Sequence, residues 1–260
     1  MAVLLDHPAP GVWRLRINRP EKRNAINHEV RQGLIDHLLA ARVDKTCRAV
    51  VLGGVGGMFS AGGDIASMAD LCEADARSRM RHIHQLCHLL EGLPLPVVAA
   101  AEGFCAGAGV GMALLTDVIV AGPTSKFLFP FMRLGLAPDW GTLRTLPARV
   151  GLATARNMLL HGQVINAEHA QASGLVDELV TDDVMAAAVC RAQQLATLPQ
   201  AAFARMKHRL NHPVTHFADE LQREEDDQAM LLLGADFREG FAAFNERREP
   251  NFTTPWEQGS

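Results

Sequence analysis

The chain has 260 residues, 48% of them hydrophobic and 21% charged, which is enough apolar sequence for one large α/β core or a core with an appendage. Its 25 basic and 29 acidic residues leave a formal charge of −4, so neither a nucleic acid nor an anionic membrane is an expected partner, and small molecules and protein subunits remain. Five scattered cysteines without a C-x-x-C pair argue against a zinc or redox framework and read as reduced packing residues. The opening MAVLLDHPAPG has neither a basic region nor a long apolar one, and the apolar run 104–115 is too short and glycine-rich to span a bilayer. A soluble, cytoplasmic protein is expected.

In chain order, residues 3–6 and 12–17 read as two strands joined by a turn at 7–11. Trp13, Leu15 and Ile17 alternate with Arg14 and Arg16, giving one buried and one wet face. The stretch 18–25, broken by Pro20 and flanked by asparagines, is a loop before a helix over 28–41. Its Arg19, Lys22 and Arg23 form a basic cluster that suits a phosphate or simply a solvated surface. A strand at 48–52 runs into GGVGGMFSAGGDI (53–65), a glycine turn ahead of helix-like sequence. The period of Met80, Ile83, Leu86, Cys87 and Leu90 predicts a helix over 73–91. His84 and His88 lie on its flank four residues apart, but no third ligand stands in a recognised pattern nearby, so no metal site is expected.

The centre of the chain is PVVAAAEGFCAGAGVGMALLTDVIVA (96–121): a buried strand, a turn of tiny residues, a short helix and a second buried strand. No Walker pattern occurs, and GAGVGM misses the third glycine of the dinucleotide fingerprint. Two glycine turns, one around Gly62 and Gly63 and one at the start of this helix, can each present a backbone N–H, and together they suggest a two-donor oxyanion hole. Further on, 175–179 is strand-like, and periodic helices are predicted over 182–197, 200–211, 217–233 and 236–247. No internal repeat or linker marks a second independent domain.

Several ordered motifs now stand together: NRPEKRNAIN (18–27), FSAGGDI (59–65), the 96–117 stretch, LGLAPDWG (134–141), the run Gly162, Ala167, Glu168, Ala170, Gly174, Leu175, Val176, and the ending over 237–252. They cover almost the whole chain, which resembles the crotonase superfamily, the enoyl-CoA hydratase/isomerase proteins. The resemblance implies an α/β spiral of ββα turns over 1–195, which binds the acyl-CoA. A helical region over 196–260 would join subunits into trimers or pairs of trimers. It implies an acyl-CoA thioester as substrate, with coenzyme A as part of that substrate and no separate cofactor. It also implies that the N–H groups of Gly63 and Ala108 form the oxyanion hole. Lys22, Arg23, Ala25, Ala61, Asp64 and Ile65 would line the coenzyme A, and Phe131 the substrate pocket.

The departures narrow the chemistry. Where family hydratases carry their two glutamates this chain has Gly111 and Phe131, and neither can hold or deprotonate water. Asp139, after Pro138, is the carboxylate at a position where isomerase-like relatives put chemistry. A double-bond shift needs only one such acid/base, although the same aspartate is placed to cap a helix over 141–149. Phe127, Phe129, Phe131 and Trp140 are close in sequence and would raise its pKa if they surrounded it. The alternatives are a dehalogenase-like hydrolysis, with Asp139 as nucleophile and His84 activating water, and a non-catalytic acyl-CoA binder. The dehalogenase members have tryptophan at Phe131 and asparagine at Pro138. His84 and Glu102 are the other candidate bases. The acyl group depends on how Met68, Leu71, Met80, Leu114 and the last helices pack.

Overall fold

The computed structural model describes residues 1–253. The expected C-terminal region, 196–260, runs past them, and 254–260 lie outside the described residues. Strands β1 (Val3–Ala9) and β2 (Val12–Ile17) form an antiparallel pair at one edge of a six-stranded sheet. β1 reaches Ala9, so the turn is confined to Pro10 and Gly11 and does not occupy all of 7–11. Beyond β2 the sheet is parallel: β3 (Ala49–Gly54), β4 (Val97–Ala101), β6 (Val118–Ala121) and β9 (Glu178–Leu179), in the order β1-β2-β3-β4-β6-β9. β3 and β4 are buried along their whole length, which explains continuous apolar runs where β2 alternates.

Helices cover both faces. α1 (His28–Val43), capped by the Asn27 side chain accepting from Val30 N, buries Val30, Leu34, Ile35 and Leu38 with α2 (Glu73–Gly92) beside it. On the opposite face α7 (Val184–Ala196) lays Ala188, Ala192 and Ala196 on β2, β3 and β4. Small residues four apart let that helix sit close to the sheet.

A second, three-stranded sheet lies at the C-terminal ends of the central strands: β5 (Phe104–Ala106), β7 (Lys126–Leu128) and β8 (Ile165–Asn166). Between β5 and β6 is the short helix α3 (Ala108–Ala113), followed later by α4 (Thr142–Val150), α5 (Leu152–His161) and α6 (Ala167–Ala172). The expected strand over 175–179 shrinks to β9, because the N–H groups of Leu175 and Val176 both turn back to Ala170 O.

The remaining helices are α8 (Gln200–Asn211), α9 (Phe217–Leu232) and α10 (Ala235–Glu246). α8 is pinned to the core by buried Lys207, whose Nζ meets Asp117 Oδ2 at 2.8 Å. α9, α10 and the junction between them leave Phe217, Met230, Leu233, Phe241 and Phe244 exposed. Cys47 and Cys105 are buried as packing residues should be, but Cys72 and Cys190 are exposed. Among the described residues no helix is long and apolar enough to cross a membrane.

Candidate active site

The two glycine turns are joined by backbone hydrogen bonds. Phe59 N donates to Glu102 O (2.8 Å), Ser60 N to Phe104 O (3.0 Å) and Ala106 N to Ser60 O (3.0 Å). From the other side Ile26 N donates to Gly62 O (2.7 Å) and Asp64 N to Ile26 O (3.1 Å). Two buried polar residues brace the join. Ser60 Oγ donates to Asn24 O and accepts from Gly62 N, while Asn24 Nδ2 donates to Val55 O and Met58 O. Gly62 sits at φ +103, and a Cβ there would lie 2.8 Å from Ala106 O and 3.6 Å from Ala108 N. Only glycine allows the turns to approach this closely.

The result is a pair of free donors. Among the described residues neither Gly63 N–H nor Ala108 N–H has an acceptor, and both residues line a cavity of about 740 Å³. That is the size of a small-ligand site. Ala61, Ile65, Phe131 and Asp139 line it too, as do Met68, Leu71 and Met80, whereas Leu114 does not.

Lys22, Arg23, Ala25 and Asp64 lie outside the cavity wall. Lys22 and Arg23 are exposed and, among the described residues, have no ion-pair partner. Arg19 leaves the expected basic cluster: it pairs with Asp64 at 3.0 Å and donates to Ala25 O at 2.7 Å, so it fastens the loop over 19–25 to the turn that holds Gly62 and Gly63.

Asp139 is half-buried in the wall, and its Oδ1 is buried with no hydrogen-bond partner. Its side chain caps nothing. The residue that precedes α4 is Gly141, and Thr142 N bonds the Asp139 backbone carbonyl at 3.0 Å, so the capping role is not what the structure contains. Burial pushes the Asp139 carboxyl above the ordinary range, while its own backbone N–H, Arg79 and His84 pull the other way. Arg79 and His84 stand in the same cavity wall. Trp140 also lines the cavity, but Phe127 and Phe129 are fully buried elsewhere and do not reach it. Glu102, also pushed up by burial, feels Asp183 and lines no part of this cavity.

Gly111 has a structural reason for lacking a side chain. A Cβ there would lie 2.5 Å from Trp140 Cβ and 3.1 Å from Trp140 Cγ, so the indole takes the volume that a glutamate would need. Phe131 is 6% exposed and presents a ring to the cavity where a carboxylate would stand.

Sequence reasoning passed over Arg31 and Arg79. Arg31 falls in the apolar stripe of α1 with Leu34, Ile35 and Leu38, and Arg79 in that of α2 with Ile83 and Leu86. A cation at a core-facing helical position was the available signal.

Residues 8–255 match the family model Enoyl-CoA hydratase/isomerase. The chain is 35% identical over 263 residues to 1,2-epoxyphenylacetyl-CoA isomerase of Escherichia coli (strain K12), spanning 97% of this chain and 99% of that protein. Among solved structures, an enoyl-CoA hydratase from Bacillus anthracis aligns with a TM-score of 0.91 and 25% identity over 97% of this chain and 99% of that one. One from Polaromonas sp. JS666 aligns with a TM-score of 0.90 and 30% identity over 96% and 99%. With the α/β sheet and C-terminal helices, these similarities make the chain a member of the enoyl-CoA hydratase/isomerase family, within the crotonase superfamily.

Proposed function

We propose that this family member, acting on an acyl-CoA, is an isomerase that shifts a double bond. Asp139 is its acid/base, and Gly63 N–H and Ala108 N–H hold the thioester oxygen. The observation behind the reading is a carboxyl with an unpartnered, buried Oδ1 in the same cavity wall as two free N–H groups. Asp139 takes a proton from one carbon of the acyl chain. The C–H electron pair spreads into the thioester, giving a dienolate, and the same carboxyl returns the proton to a different carbon. Negative charge gathers on the thioester oxygen, where each hole donor contributes roughly 2.7–4 kcal/mol. No electron is lost, so the reaction needs no cofactor beyond the coenzyme A that the substrate carries.

Gly111 and Phe131 favour this over hydration by a pair of glutamates, and the name of the Escherichia coli relative, an isomerase, points the same way. Free and exposed, Lys22 and Arg23 suit the coenzyme A phosphates, with Ala25, Ala61, Asp64 and Ile65 shaping the path inward and Phe131 the acyl end. The exposed apolar residues of α9 and α10 suit a homotrimer or dimer of trimers, and the cytoplasm suits a coenzyme A substrate.

A second reading has one observation of its own. His84 stands in the same wall and acts electrostatically on Asp139, as a dehalogenase-like hydrolysis requires: carboxylate attack displaces halide, and activated water then cleaves the ester. Chloride release from a halobenzoyl-CoA would identify it.

The isomerase reading is tested by deuterium exchange into a β,γ-unsaturated acyl-CoA. Asp139→Asn, which breaks no cap, should lower exchange by at least ~10² while thioester affinity stays close to that of the parent. Equal exchange in the two proteins refutes the role of Asp139.

A further inference from the structure

Arg31 is 3% exposed and lines the cavity. Its Nε donates to His82 Nδ1 at 3.3 Å. Nη1 is buried without a partner, and Nη2 makes no hydrogen bond or ion pair among the described residues. Its charged neighbour is another cation, Arg79, and behind His82 stands the ring of His28, 4.4 Å away. Burial first, and then Arg79, pulls the Arg31 guanidinium down to about 10, still charged at neutral pH. A guanidinium enclosed without a carboxylate is costly unless something else supplies the negative charge.

Nor does the cavity wall supply it. Arg31, Arg79 and Arg144 stand there against the single carboxylate of Asp139, and Arg144 is directed to Asn211 O. Asp139 acts on Arg79, which leaves Arg31 uncompensated. A purely structural arginine joining α1 to α2 would have its fork satisfied by carbonyls or a carboxylate. This one holds a single bond, to a histidine.

We infer that Arg31 receives an anionic group carried by the acyl chain, so that the preferred substrates are thioesters of a dicarboxylic acid, with the free carboxylate on the Arg31 fork. The inference rests on the acyl-CoA reading of the cavity and adds the substrate class. It differs from the part given to Lys22 and Arg23, which lie outside the cavity wall. A planar guanidinium matches a carboxylate with two parallel hydrogen bonds, and the enclosed position strengthens them.

The test is calorimetry on the full chain with saturated thioesters, which bind without turnover. A dicarboxylyl-CoA series of increasing length is set against monocarboxylyl-CoA partners of equal length, so that the coenzyme A contribution cancels. At the length that spans from the oxyanion hole to Arg31, the free acid should bind about ten- to a hundredfold tighter than its partner. The methyl ester of that acid should lose the gain, a requirement tested in the parent protein without any variant. In Arg31→Gln the ratio of the two affinities should fall to within about threefold, with Arg31→Lys between. No gain at any length, a gain kept by the ester, or a gain kept in both variants overturns the inference and leaves the isomerase reading standing. If neither class of thioester binds, the acyl-CoA reading fails and this inference fails with it.

Discussion

Adding one methyl group at Gly111 tests why this chain lacks a hydratase glutamate. The new Cβ would start 2.5 Å from Trp140 Cβ and 3.2 Å from Thr142 Oγ1, whereas carbons pack at about 3.5–4.0 Å. Both Cβ atoms are fixed to backbone, and Trp140 is 2% exposed at φ 55, already in the left-handed region. No flexible end can move aside. The cost belongs at the upper end of overpacking, about 3 kcal/mol, and the helix preference of alanine over glycine returns about 1 kcal/mol. The net loss of about 2 kcal/mol should lower the melting temperature of a chain this size by about 4–8 °C. Thermal unfolding of Gly111→Ala measures it. In a Trp140→Gly background, which removes the opposing Cβ, the same substitution should become neutral or stabilising, and the double-mutant cycle isolates the contact. A Gly111→Ala protein that melts at or above the parent temperature would refute the claim that Trp140 has displaced the glutamate.

Three further outcomes are expected. Arg79→Gln removes a cation that favours the ionised form of Asp139, already raised by burial; because the base acts ionised, activity is lost as pH falls through its pKa. The acid limb of the isomerase pH profile should therefore move upward, and a downward move contradicts the assignment. Ala108→Pro deletes one hole donor at the first position of α3, where proline is tolerated; kcat should fall about 10²–10³-fold with little change in melting, and an unchanged kcat would exclude that N–H from the hole. Light scattering should find three subunits or a multiple of three, since Phe217, Leu233 and Phe244 are each at least 75% exposed in the single chain; a monomer at micromolar concentration contradicts this.

Wherever local periodicity carried the information, the sequence by itself determined the structure closely. The alternation of β2, the apolar runs of β3 and β4, and the stripes of α1, α2 and α7 to α10 all correspond to observed elements within a few residues, because each is a preference of neighbouring residues for one face. Gly62, Gly63, Gly107 and Gly109 also marked the two turns. The short strands of the second sheet, β5, β7 and β8, had no period to show, and they exist only because one strand end pairs with another far along the chain.

Tertiary structure decided the site for the same reason. Ser60 and Asn24 read as ordinary loop polar residues, yet buried hydrogen bonds to distant carbonyls make them the braces of the two turns. Asp139 could cap or catalyse on sequence alone, and the path of the chain into α4 gave the capping position to Gly141 and left the carboxyl in the wall. Arg31 could have turned to water from an isolated helix; packing α1 against α2 enclosed its guanidinium beside the cavity. Burial and approach between residues far apart in sequence depend on how whole elements pack, and no local pattern records that.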